Sequence, residues 1–295
     1  MPIKEKFTFF HFMNYTVFAI ITILCVFPFY YLFINTISNN DLSSRGLVMF
    51  YPKDIHWTNY LDVFRIPGLG QAALVSLGRT VLGTILTVAA SAFLGYLFTK
   101  PMWGRSFWYR FLIITMYFNA GLIPWYLTML NLGLTNNFWA YVLPAIVQPF
   151  FIILVKTFVE STPLALQESA QIDGAGYMTI FVRIIFPLIM PILATIAIFA
   201  AVSQWNSFTD TLFLITDQNL FTLQFILYRY MNEANSIAQL MKQSTGGAVM
   251  DLSNMATPTS IQTTVSMVVV LPILLVYPFF QRFFVKGIMI GAVKG

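Results

Sequence analysis

Six stretches of this chain are apolar over the length of a membrane crossing: residues 14–33, 72–98, 111–130, 139–159, 186–208 and 261–284. Roughly 30 Å of hydrocarbon takes about 20 residues at 1.5 Å rise, and each stretch meets that length. Lipid cannot bond a free backbone amide, so each stretch has to be a helix. The period-two alternation of a barrel strand is absent. With 58% hydrophobic and 9% charged residues and a mean hydropathy of +0.75, the chain falls outside the range of water-soluble domains. The expectation is an all-α integral membrane protein with six transmembrane helices. These form one membrane domain over 14–285, between an N-terminal tail, 1–13, and a C-terminal tail, 286–295.

Basic residues set the orientation. With the N-terminus inside, Lys4, Lys6, Lys100, Arg105, Arg110, Lys156, Arg183, Arg282, Lys286 and Lys294, ten of the sixteen, fall on the inner side. Both termini are therefore expected to be cytoplasmic. The net charge of +5 reads as inner-leaflet anchoring and not as a nucleic-acid footprint. The single cysteine, Cys25, sits mid-span and excludes a disulfide framework. Lys4-Glu5-Lys6 precedes a run of full span length without a small-residue cleavage site, so it reads as the start of an uncleaved first helix. The outer loop 209–260 holds a helical pattern at 221–241 suited to a membrane surface. No second histidine, cysteine or paired carboxylate is in reach of His11 or His56, so neither a metal site nor a catalytic residue is expected.

Between the apolar runs lies a polar inner segment. Ser161-Thr162-Pro163 offers a cap and a proline for a short helix over 164–172, and Asp173-Gly174 interrupts it. A second helix over 175–185, capped by Asp173, is expected to end ahead of Pro187, giving two helices at an angle. The residues read Glu168-Ser169-Ala170, three residues, Gly174, nine residues, Ile184, one residue, Phe186-Pro187. This resembles the EAA loop of ABC-importer permease subunits, departing from its pattern only at Ser169 and Phe186. Gly121-Leu122-Ile123-Pro124, Asn131 through Asn136, Trp205-Asn206, Tyr277-Pro278 and Gly291 through Gly295 also resemble the carbohydrate branch of that family.

The resemblance implies a type I importer permease fold with a cytoplasmic coupling loop, in a bacterial cytoplasmic membrane. Glu168, Ser169, Ala170, Asp173, Gly174, Ala175, Ile184 and Pro187 would form the contact with a cytoplasmic ATPase. It further implies a second, different permease subunit, two ATPase subunits that use ATP and Mg, and an extracytoplasmic solute-binding protein. The cargo would be an oligosaccharide, with a non-sugar small solute as the alternative. Lys286 and Lys294 would lie on a tail reaching the ATPases, or serve as an inner-leaflet anchor. From the residues alone, no Gly-x-x-x-x-Gly-Lys-Ser/Thr loop occurs, so the chain is not itself expected to hydrolyse ATP or to bind a cofactor.

Polar groups inside spans are the candidates for a transport path. Asn119, Gln148, Gln204 and Asn206 are such groups, with Trp205, Tyr117 and Tyr126 as aromatic companions for a sugar. The other reading is that these amides bond across helices within one bundle. Arg79, about 10 Å into its span, either faces the path and attracts an anionic sugar, or snorkels to the interface or pairs helices. Apart from Asp210 at the edge, the spans hold no carboxylate, which disfavours proton or sodium coupling.

Overall fold

The computed structural model describes residues 8–243 and 257–287. The described residues are helical with no strand among them. They form two compact units, one within Met1–Ile66 and Arg229–Leu271, the other within Pro67–Tyr228 and Pro272–Gly295.

The first unit opens with α1 (Phe9–Thr36), which starts ahead of residue 14 because Thr8 and His11 close a capping box at its N-terminus. Only 6% of its apolar window is buried, as suits a helix whose surroundings are lipid or protein rather than water. At its C-terminal end the chain turns polar, and the polar groups bury themselves by pairing. Asn35 donates to the carbonyl of Val48 at 3.3 Å and accepts from Ser43 at 2.7 Å, while Asn59 donates to the Thr36 carbonyl and to Asn40. Satisfied this way, the loop packs without the desolvation cost that unpaired amides would carry.

The second unit is organised on α2 (Leu69–Leu97), an unbroken helix of 29 residues. Gly83, Thr87, Ser91 and Gly95 follow one another a turn apart and are all buried, making one face of α2 a shallow groove. A Cβ at Gly83 would lie 2.6 Å from the Gln204 amide nitrogen, and one at Gly95 would lie 2.6 Å from the Val155 side chain. Small residues let neighbouring helices approach this closely where no hydrophobic effect drives association.

The expected spans at 111–130, 139–159 and 186–208 are not straight. In their place are α3 (Arg105–Tyr117) with α4 (Leu122–Asn131), bent by 119°, and α5 (Trp139–Ala145) with α6 (Pro149–Glu160), bent by 44°. The third pair, beyond α7 (Ala165–Ile172), is α8 (Tyr177–Leu188) with α9 (Met190–Asn206), bent by 76°. The causes are local. Gly121 has φ of +88°, and its N–H is taken by the Asn119 side chain, so the chain leaves the helical path there. Pro144 and Pro149 flank the second break, and the carbonyl freed at Ala145 is bonded by Thr87 at 3.0 Å and Gln148 at 3.3 Å. Among the described residues two helices, α1 and α2, are each long and apolar enough to cross a membrane, and the bent pairs raise the number to five. Beyond α9 follow α10 (Thr209–Leu214), α11 (Leu223–Gln243) and α12 (Pro258–Gly287), the last containing the expected span 261–284.

Gly95 tests the packing argument. A Cβ there meets both Val155 and, at 3.1 Å, the backbone oxygen of Ile152. Gly95→Ala is expected to destabilise the protein by about 1–3 kcal/mol through overpacking. Gly70→Ala, where nothing lies within 4 Å, is expected to leave the midpoint of thermal unfolding in detergent unchanged or raised.

Candidate functional site

Two places in the second unit gather polar groups. One is a buried cluster around Arg79, and the other is the elbow formed by α7 and α8.

Arg79 is 2% exposed. Its Nη2 approaches Asp210 Oδ2 at 2.5 Å, Nη1 donates to Asp210 Oδ1 at 3.1 Å, and Nε and Nη2 donate to Gln204 Oε1 at 3.1 and 3.0 Å. Nη1 also donates to the Ser207 carbonyl at 3.2 Å, and the guanidinium lies 4.5 Å from the centre of the Tyr141 ring. A buried charge survives only when paired and hydrogen-bonded, and the planar fork of Arg79 is used on nearly every side. Gly83, one turn along from Arg79, leaves the space in which Gln204 reaches the guanidinium. Asp210 arrives because α9 ends at Asn206, Ser207 is extended, and α10 restarts with Asp210 in its first turn.

Arg79 thus joins α2 to the end of α9 and the start of α10, and its charge is matched by Asp210. Beside the pair lies a cavity of about 170 Å³, lined among others by Trp125, Gln148, Ser203 and Gln204. An apolar cavity of roughly 150 Å³ accepts a benzene ring, so this one has room for a single ring. Of the residues expected along a path, Arg79, Gln148 and Gln204 line this cavity. Trp205 is half-buried, whereas Asn206 is exposed and bonded to Gln224, and Asn119 is exposed at the α3–α4 bend. Trp125, Tyr141 and Asp210 belong to the site by geometry alone, since their separation in sequence carries no motif.

The elbow begins where α6 ends. The hydroxyls of Ser161 and Thr162 bond back to the carbonyls of Phe158 and Val159, so they finish α6 instead of capping α7. At the other end of α7, Ala175 N–H bonds Ala170 O at 2.9 Å and Gly174 N–H bonds Gln171 O at 3.0 Å, with Gly174 at φ +81°. This is a Schellman stop, and the left-handed residue it demands is the glycine. Asp173 closes α7, and α8 starts after Gly176 without a side-chain cap, so the expected Asp173 cap does not form. Nor does α8 end ahead of Pro187. A π turn over Phe181–Ile185 widens the helix, Pro187 begins the next turn, and the chain bends at Ile189 instead.

The inner side of the elbow packs firmly. Ala170 and Ala175 rest on the core formed by Ala92, Tyr96, Val155 and Ile180. Gln167, the buried residue of α7, accepts a hydrogen bond from the ammonium of Lys100 just beyond α2. The outer side is open. Glu168, Ser169, Asp173 and Gly174 are exposed, Pro187 is exposed, and Ile184 is half-buried. Ile172 is 86% exposed and Leu164 67%, an apolar surface beside a carboxylate, Glu168, that has no ion-pair partner among the described residues. Lys294 and the side chain of Lys286 lie outside the described residues.

The model of the family described as binding-protein-dependent transport system inner membrane component matches residues 87–290. The chain is 35% identical to protein LplC of Bacillus subtilis (strain 168), over 92% of this chain and 90% of that one. It is 30% identical to the polygalacturonan/rhamnogalacturonan transport system permease protein YtcP of the same strain, over 92% and 94%. Among solved structures it is similar to a chain of a bacterial ABC transporter involved in the import of the acidic polysaccharide alginate. That likeness has a TM-score of 0.81 at 26% identity, over 96% of this chain and 100% of that one.

Removing one member of the buried pair strands the other. Asp210→Ala is expected to destabilise the protein by about 3–5 kcal/mol, and the double change Arg79→Met with Asp210→Leu by clearly less, as read from thermal unfolding in detergent. Equal losses in the two variants would mean that the pair is not the source.

Proposed function

The chain belongs to the family of binding-protein-dependent transport system inner membrane components, and from that membership we propose that it is the membrane-spanning permease subunit of an ATP-driven carbohydrate importer. The cargo is an oligosaccharide. The names of YtcP and of the alginate transporter support this reading, as does a cavity lined by amides, hydroxyls and aromatic rings, the groups that bind sugars.

The elbow is the contact with a separate ATPase. The observation that carries this is an ordered pair of short helices with a packed inner side and an open, partly apolar outer side, on which Glu168 stands without a counter-charge among the described residues. A neighbour with an apolar cleft and a basic residue satisfies both. ATP and Mg are used by that neighbour. Two such ATPase subunits, a second and different permease, and an extracytoplasmic binding protein complete the importer, in a bacterial cytoplasmic membrane with the elbow on the cytoplasmic side. Arg79, Gln148 and Gln204 stand at this subunit's share of the path, with Arg79 and Gln204 holding its wall in place.

Uptake into vesicles holding the whole importer tests the reading. Glu168→Arg is expected to lower ATP-dependent uptake at least about tenfold, the equivalent of 1.4 kcal/mol in coupling. Gly174→Pro is expected to abolish it, because proline removes the N–H that bonds Gln171 and forbids φ of +81°. Membrane insertion of both variants should match the parent, and full uptake by either refutes the elbow as the ATPase contact.

A further inference from the structure

Lys100 stands outside the elbow's own sequence and still holds it. Its ammonium donates to Gln167 Oε1 on α7 and lies 4.7 Å from the ring centre of Tyr96 on α2 and 5.7 Å from that of Tyr177 on α8. The Tyr96 hydroxyl donates to the Tyr177 carbonyl at 3.2 Å. No carboxylate pairs with Lys100 among the described residues. Half-buried, its charge is met by one amide oxygen and two ring faces drawn from three helices. Burial lowers its pKa from the ordinary lysine value, in keeping with a cation partly withdrawn from water.

Besides its apolar packing on the core and its chain link to α6, the elbow is joined to the rest of the unit by two routes. The chain's own route passes through the π turn of α8 and the 76° bend at Ile189 before it reaches α9. The route through Lys100 enters α2 at its C-terminal end, and α2 is unbroken back to Arg79, about 27 Å along the helix. A stiff rod transmits displacement, and a bent joint absorbs it.

We propose that Lys100 is a positioning residue that staples the elbow to the end of α2, so that elbow and α2 move as one body when the importer turns over. The proposal rests on the reading of the elbow as the ATPase contact. A stroke delivered at Glu168 and Ile172 then arrives at the Arg79 cluster through α2, and α9 follows by its contact with the small-residue face.

Distances within the assembled importer test it. Spin labels are placed at Ile85→Cys on α2 and Met178→Cys on α8, both exposed and neither among the residues read as the ATPase contact, on a Cys25→Ser background with cysteine-free partners. Pulsed EPR is recorded without nucleotide and after trapping with ATP and vanadate. With Lys100 present the distance is expected to change by no more than about 2 Å between states, the scale of a rigid helix shift. In Lys100→Met it is expected to broaden and to shift by more, and Lys100→Arg, which also donates and stacks, is expected to restore the narrow distribution. Should Lys100→Met fail to assemble, Gln167→Leu removes the acceptor and is expected to broaden the distance likewise. A larger shift in the parent, or a narrow and unchanged distribution in the variant that assembles, overturns the staple. If the ATPase subunits fail to copurify with the parent chain, it is the reading of the elbow itself that falls.

Discussion

The larger unit depends on how closely α6 and α9 approach α2, and that approach depends on side chains that are nearly absent. Gly83 and Gly95 sit where a Cβ would fall 2.6 Å from a neighbouring side chain. Thr87 and Ser91, between them, continue the same face. In lipid the usual drive to bury apolar surface is missing, so packing distance decides whether helices associate. At the two ends of this groove lie the two polar sites. Gly83 admits Gln204 to Arg79, and Gly95 admits Val155 next to the core on which the elbow rests.

Arg79 shows how a charge is tolerated at depth. Asp210, Gln204, the Ser207 carbonyl and the Tyr141 ring surround it, so the ion pair fixes the end of α9 and the start of α10 against α2. The same pairing sets the chemistry of the adjacent cavity. A guanidinium already held by a carboxylate offers little to an anionic ligand, and beside the pair the space is lined by amides, hydroxyls, rings and small apolar side chains.

The elbow combines a firm interior with an open exterior. The Schellman stop at Gly174 and the alanines on either side of it press the bend against the core, while Ile172 and Glu168 point outward. Under the proposed coupling role, small side chains on the inner side and large or charged ones outside are what a transmitted force requires, since a loop that gave way would pass nothing on.

Much of this was legible in the sequence. Apolar runs dictated helices because lipid satisfies no backbone group, and Gly174 marked the sharp turn because only glycine adopts a left-handed conformation without strain. The spacing around Glu168 pointed to the family to which the chain belongs. Hydropathy did not reveal the breaks near Asn119, Gln148 and Ile189, because a bent pair of apolar helices has the same composition as a straight one. Nor did local rules place Pro187, which a π turn carries inside a helix that the proline was expected to end. Arg79 with Asp210, and Lys100 with Gln167, are separated by 131 and 67 residues, and no local pattern joins them. The sequence determined that the chain is helical, membrane-embedded and bent at a glycine, since those follow from solvent and backbone conformation residue by residue. Which polar groups meet was decided only by the tertiary structure, because a buried charge takes its partner from whatever helix packs against it.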